Sequence, residues 1–384
     1  MRGKLPHPLL WPLIEWRAGR LPDAVCKLRF LQRASRFSLP SPRSHLKRAA
    51  ASALALAALA VVPASRLTNA VMYGKLPPSL QHENRGRDSF PEVWMVEQRR
   101  EFEIYSNGLR IEREWETDGR PRNYGVIDRQ EPDAGVKVWR TEPAGIVYHA
   151  TESGIAPFTP TQNRALKYMG RSVLEYVRER QCYNYLIDRF GRVHRVVRDT
   201  HAANHAGHSV WADARWIYVG LNASFLGVAF EARSGSGNEG HTLSAAQVHA
   251  GRVLTEMLRA KYGIPAANCV THAQVSVNPS NMRIGYHTDW AGNLPFRELG
   301  LEDNYGLPLA SMTEFGFRYD PAYIKNTGER LWKGIVLAEQ ELRQAAAIAG
   351  LPAEQFRQRL ERRYKKELSA RQAMGAGEEK GDES

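Results

Sequence analysis

Nine histidines lie beyond residue 100, at positions 149, 194, 201, 205, 208, 241, 249, 272 and 287. Most histidines in proteins serve surface or core, so their place in the chain decides which of them can do chemistry. His149 ends the apolar run Ile146-Val147-Tyr148, and His272 ends Cys269-Val270-Thr271. Runs of this kind read as short strands. Side by side in one sheet they would deliver both imidazoles to the same edge. His287 follows 15 residues after His272, in a loop with Asp289. A zinc ion in a hydrolase takes three protein ligands, usually His with His or a carboxylate, and keeps a fourth position for water. These residues can supply that set, although spacing alone favours satisfied structural histidines.

The elements that must position them follow from local pattern. Residues 161–179 read as a helix, with Leu166, Met169, Val173 and Val177 at spacings of three and four. Tyr183–Ile187 is a strand, turned by Arg189-Phe190-Gly191 into Val193–Val197, and Leu226–Phe230 is another. Ser244 and Gln247 form a capping box for a second helix with the stripe Val253, Leu254, Met257 and Leu258, ended by Gly263 with Pro265 beyond. This alternation predicts an α/β fold, a sheet with helices against it. Residues 93–143 read as a small β appendage, with a hairpin at Asn107-Gly108. Residues 301–372 form a helical extension, in which Gly350, Leu351 and Pro352 separate the two helices of a hairpin, and 373–384 a disordered tail.

The chain has 384 residues and a formal charge of +12. Residues 1–72 hold 12 Lys and Arg against 2 Asp and Glu, which leaves the remainder nearly balanced. A nucleic-acid footprint on the body is therefore not expected. The three cysteines, Cys26, Cys182 and Cys269, form no CxxC pair. Cys182 and Cys269 are either one disulfide or two separate buried thiols. Residues 49–65 carry no charge and follow Lys47-Arg48. A basic flank before an apolar, small-residue stretch is the grammar of an export signal or signal anchor. A buried Ala-rich helix is the alternative. The anchor reading puts the basic tail 1–48 in the cytoplasm and, after a linker at 66–92, the body outside, in the cell envelope.

Five segments in order, IVYHATES (146–153), YNYLIDRFGRVHRVV (183–197), NHAGHSVW (204–211), LGVAFEA (226–232) and VTHAQVS (270–276), resemble the type 2 zinc amidase family. That family includes peptidoglycan recognition proteins, phage lysozyme-like amidases and bacterial anhydromuropeptide amidases. The resemblance spans about residues 144–295, within an amidase domain expected at 144–300. It implies a mixed central sheet flanked by helices, a Zn2+ cofactor, and cleavage of the amide between N-acetylmuramic acid and L-alanine in peptidoglycan or muropeptides. It implies His149 and His272 as metal ligands, His205 near the groove and Asn184 near the site.

The chain departs from the family pattern twice. The third ligand is usual eight to ten residues after the second His, where Val277–Met282 offers none. His287 is the expected replacement, with Asp289 as alternative; if Asp289 is the ligand, His287 is free to stabilise the oxyanion. Catalytic bacterial members also carry Glu where this chain has Ala229. Glu231 shares a strand face with that position and is the expected general base, with His205 beside the oxyanion. Trp211 is expected to stack on sugar rings of the substrate. The competing reading is a peptidoglycan-binding or sensing protein that does not cut.

Overall fold

The computed structural model describes residues 92–235 and 243–373. The apolar run 49–65 and both tails lie outside the described residues. Within them no helix is long and apolar enough to cross a membrane.

The strands before the first long helix are β1 (Met95–Gln98), β2 (Phe102–Tyr105), β3 (Arg110–Glu112), β4 (Arg120–Pro121), β5 (Tyr124–Asp128), β6 (Val136–Arg140) and β7 (Gly145–Ala150). Helix α1 (Asn163–Arg180) leads to β8 (Tyr185–Ile187), β9 (Val193–Arg195), β10 (His201–Ala202), β11 (Val210–Ala212) and β12 (Trp216–Val219). The short α2 (Leu221–Ser224) precedes β13 (Phe225–Phe230), α3 (Ala245–Tyr262), β14 (Cys269–Thr271) and α4 (His272–Val275). A hairpin of β15 (Val277–Asn278) and β16 (Arg283–Ile284) follows, then α5 (Ala310–Phe315), α6 (Pro321–Ile348) and α7 (Ala353–Ala373).

Eight strands form a mixed sheet in the order β1-β2-β3-β9-β8-β13-β7-β14. Its centre is parallel: β13 runs beside both β7 and β8, and β14 beside β7. Every residue of β7 and β13 is buried, as strands covered on both faces must be. Leu226, Val228 and Phe230 alternate with Gly227 and Ala229, which sends the first set toward Leu254, Met257 and Leu258 of α3. Ala229 instead meets Leu174 and Val177 of α1. The capping box at Ser244 forms, and Gly263 ends α3 with φ 63°.

Residues 93–143 are not a separate appendage. β1–β3 extend the main sheet through the parallel pairing of β3 with β9. β5 and β6 join β11 and β12 in a second, antiparallel sheet. Cys182 and Cys269 are buried on opposite sides of the main sheet, and no disulfide joins them. Helices α6 and α7 lay Leu331, Ile335, Leu342 and Leu360 inward. Tyr364 packs edge-on against both Phe315 and Phe317.

Candidate metal centre

Parallel neighbours end at the same edge of a sheet, and this edge holds the site. In the register of β14 with β7, Thr271 stands opposite Tyr148, so His272 and His149 come next at the same level. His149 is 1% and His272 6% exposed. Asp289 reaches them by a detour. After α4 the β15–β16 hairpin carries the chain out and back. The His287 N–H donates to Ser276 Oγ at 3.0 Å, which closes the detour beside α4. The Asp289 carbonyl then accepts from the Ala273 N–H, and its Oδ2 from the Ala150 N–H at 3.4 Å. Trp290 follows with φ 57° and a fully buried ring against Phe230.

His149 Nδ1 lies 3.3 Å from Asp289 Oδ2, and His272 Nδ1 lies 2.9 Å from Asp289 Oδ1. One ligand atom from each of the three lies within 4.8 Å of the others, the only such grouping of His, Cys, Asp and Glu among the described residues. Burial and the neighbouring His272 push His149 down to about 4, against the pull of Asp289. Burial alone would raise the Asp289 carboxyl, but His272 and His149 outweigh it and hold it well below the usual carboxylate range. The donor set is therefore two imidazoles and one ionised carboxylate in a buried corner, the composition that suits zinc. His272 Nε2 is buried without a hydrogen-bond partner, so that ring's orientation is set on its Nδ1 side. These residues fit a zinc ion.

His287 stacks its ring on His272, with centroids 4.5 Å apart and planes at 19°. It stands beside the three-residue grouping and is not part of it. The exposed Tyr286 meets the His287 ring edge-on at 4.8 Å. Tyr183 was not picked out from the sequence. It has φ 52°, and its ring centroid is 5.0 Å from that of His149. A non-glycine residue held in the left-handed region is uncommon and worth a look. Its sequence signal is its place at the head of β8, one strand removed from β7, which carries His149.

The other expected site residues sit differently. His205 is 7% exposed, with Nδ1 3.1 Å from His149 Nε2 and Nε2 3.3 Å from the Phe225 carbonyl oxygen. Burial and the neighbouring His149 hold it neutral. It therefore brings no positive charge to an oxyanion, and both ring nitrogens are engaged. Asn184 is 0% exposed; its amide donates to the carbonyls of Val197, Arg198 and His201 and accepts the Gly227 N–H. Trp211 is 2% exposed, and its indole N–H donates to Asn268. Both are therefore core residues beyond a substrate's reach. Glu231 lies beneath Gly170 of α1 and accepts the Arg189 N–H at 3.1 Å. It is 3% exposed, and burial raises its carboxyl. Two residues past Ala229, it is about 7 Å farther along the strand, and its bond to the Arg189 N–H points it away from the histidine cluster. A base needs an open path to its proton, which the cover of α1 denies it.

Comparison with known proteins bears on this geometry. A family model described as N-acetylmuramoyl-L-alanine amidase matches residues 139–289, from just before β7 to Asp289. None of the curated proteins matches the chain. Among solved structures, the chain is similar to the amidase AmiD of E. coli in complex with anhydro-N-acetylmuramic acid-L-Ala-D-gamma-Glu-L-Lys. The identity is 20% and the TM-score 0.34, over 52% of this chain and 79% of that one. It is similar to AmpDh3 of Pseudomonas aeruginosa in complex with anhydromuramic pentapeptide, at 17% identity and TM-score 0.32, over 55% and 69% of the two chains. Drosophila peptidoglycan recognition protein SD gives 18% identity and TM-score 0.26, over 41% and 79%. The matched segment includes every residue of the His149–His272–Asp289 grouping, so over residues 139–289 the chain is similar to the N-acetylmuramoyl-L-alanine amidase family.

Proposed function

We propose that this chain is a zinc-dependent hydrolase that cuts the amide between N-acetylmuramic acid and L-alanine in peptidoglycan or its fragments. The observation that carries the reading is the gathering of His149, His272 and Asp289 at one buried sheet edge inside the family match. Zinc bound there supplies an acidic water and polarises the amide carbonyl. His149 and His272 would hold it through nitrogen and Asp289 through oxygen, with Asp289 as the third ligand in place of His287. His287, stacked on His272, then donates a hydrogen bond to the oxygen of the tetrahedral oxyanion. Tyr183, against His149 on the other side, orients the lactyl carbonyl through its hydroxyl. The attached apolar run 49–65 keeps the body in the cell envelope, next to that polymer.

The second reading, a cell-wall binder that does not cut, draws on Ala229. It stands in register beside His149, fully buried, where a methyl replaces the carboxylate of catalytic relatives. The test is full-length protein incubated with muropeptides of known stem, with products read by mass. The account expects free stem peptide and free sugar, and none from His272→Ala. Cleavage at any other bond would remove the amidase assignment. Tight binding with intact muropeptide would favour the binder.

A further inference from the structure

We infer that a cleft at the opposite edge of the sheet from the metal centre is a second binding site, which takes a short peptide with a free α-ammonium and a free carboxylate. The binding claim stands on the cleft itself. That the natural ligand is the peptide released by cleavage rests on the proposed hydrolase reading.

The cleft has a volume of about 500 Å³, within the range of small-molecule sites. Ala144 leads into β7 and Asn268 into β14, and both line it. His149 and His272 stand at the other ends of those two strands. The cleft and the metal centre therefore share β7 and β14 but are on the order of 15 Å apart, the rise of a strand of this length. Asn268 fixes the floor. Its amide N–H donates to the Ala144 carbonyl at 2.9 Å, and its oxygen accepts the Trp211 indole N–H at 3.2 Å.

Two opposite charges line the cleft without meeting each other. Arg140 lies over the Trp216 ring, 4.9 Å from its centroid, and among the described residues no carboxylate pairs with it. Asp213 Oδ1 accepts the backbone N–H of Arg215 and of Trp216, both at 2.8 Å. Its Oδ2 accepts the Tyr218 hydroxyl at 2.7 Å and the Asn268 amide at 3.4 Å. All four donors are neutral, and among the described residues no Lys, Arg or His pairs with Asp213. The end of α3, at Tyr262 and Gly263, also lines the cleft, and the last carbonyls of a helix carry partial negative charge. Glu142 adds an exposed carboxylate at the rim. The cleft thus offers a guanidinium to a carboxylate, and a carboxylate with a helix end to an ammonium. A lone anion would gain Arg140 but face Asp213, and a lone cation the reverse. A peptide with free ends meets both. Hydrolysis of the amide to L-alanine turns an uncharged nitrogen into such an ammonium, so the cleft takes the released peptide and not the uncut substrate.

Isothermal titration of the full-length protein with trialanine, N-acetyl-trialanine and trialanine amide tests this. Trialanine should bind, and capping either end should weaken it about 10–100-fold, the worth of a hydrogen bond to a charged group. In Arg140→Met, trialanine and its amide should bind alike. In Asp213→Asn, the preference over the acetylated peptide should go. Binding should persist in His272→Ala, which separates the cleft from the metal centre. Three peptides bound equally, or none bound, would overturn the inference. So would trialanine binding that is lost in His272→Ala and kept with its end preference in Arg140→Met. If Arg140→Met does not fold, the capped peptides and His272→Ala still decide. Muropeptides left uncut by a protein that binds trialanine here would remove the hydrolase reading and leave the site. Cleavage without trialanine binding would do the reverse.

Discussion

At the scale of the residue, the proposed third ligand turns on two neighbouring side chains, Asp289 and His287. Asp289 holds contact with both imidazoles, whereas His287 rests on the face of one of them. The account expects Asp289→Ala to lower zinc affinity more than about 100-fold, beyond what loss of a supporting partner costs. His287→Ala should keep the zinc and lose kcat by roughly 100-fold or more, as removal of an oxyanion donor does. Chelator competition and initial rates on both variants check this; the reverse pattern would make His287 the ligand. His149 and His272 were legible because each closes a short apolar run and parallel strands align their ends. The fates of Asn184, Trp211 and His205 were not. Their partners are backbone carbonyls or distant amides, such as Phe225 O and Asn268. Sequence pattern carries no mark of which carbonyl a side chain will meet. Glu231 was legible as sharing a face with Ala229, but not as lying under α1.

At the scale of the element, what local signals announce is present. The capping box of α3 and its glycine end form from residues within a turn of one another. The pairing of β3 with β9 does not arise locally. It rests on two opposed residue pairs, Ile111 with Val193 and Glu112 with His194. A buried charge network reinforces the junction. Arg195 joins Glu103 at 2.6 Å and Glu116 at 2.8 Å, and Glu116 also binds Arg113 and Arg198. Burial raises the Glu116 carboxyl, but Arg113 and Arg195 outweigh it and bring it down to about 2. A carboxyl lowered in the folded state stabilises it above the unfolded value, near 4.5, and the contribution disappears as pH falls toward 2. After allowance for solvent screening it is on the order of 2 kcal/mol. Wild-type protein should therefore exceed Glu116→Gln in thermal stability at pH 7, with the gap closing between pH 4.5 and 2. A gap that stays constant across that range would mean that the network adds nothing through charge.

At the scale of the whole molecule, the C-terminal helices are tied to the body at both ends. Tyr323, near the start of α6, donates to the Ala273 carbonyl and fills the space over Gly285, beside the loop that carries Asp289. Arg371, near the end of α7, donates to the Val219 and Gly125 carbonyls of the second sheet. The Tyr323 contact makes α6 a support of the loop that carries Asp289. Tyr323→Ala should lower thermal stability by about 3–5 kcal/mol, the usual cost of emptying a buried aromatic site. It should also weaken zinc binding; full zinc affinity in a folded variant would mean the loop holds its shape alone. We propose the cell envelope as the site of action, a reading that draws on the basic excess of residues 1–72 and the uncharged run 49–65. Fractionation of cells carrying the full chain should find it there, and a chain lacking 49–65 should stay in the cytoplasm; equal distribution would remove the anchor. The central claim, metal-dependent cleavage, is met most directly by one assay. Full-length protein is mixed with muropeptides, stripped by chelator and resupplied with zinc, and free stem peptide is followed by mass. The account predicts release that stops with chelator and returns with zinc; release indifferent to chelator, or none at saturating zinc, would contradict it.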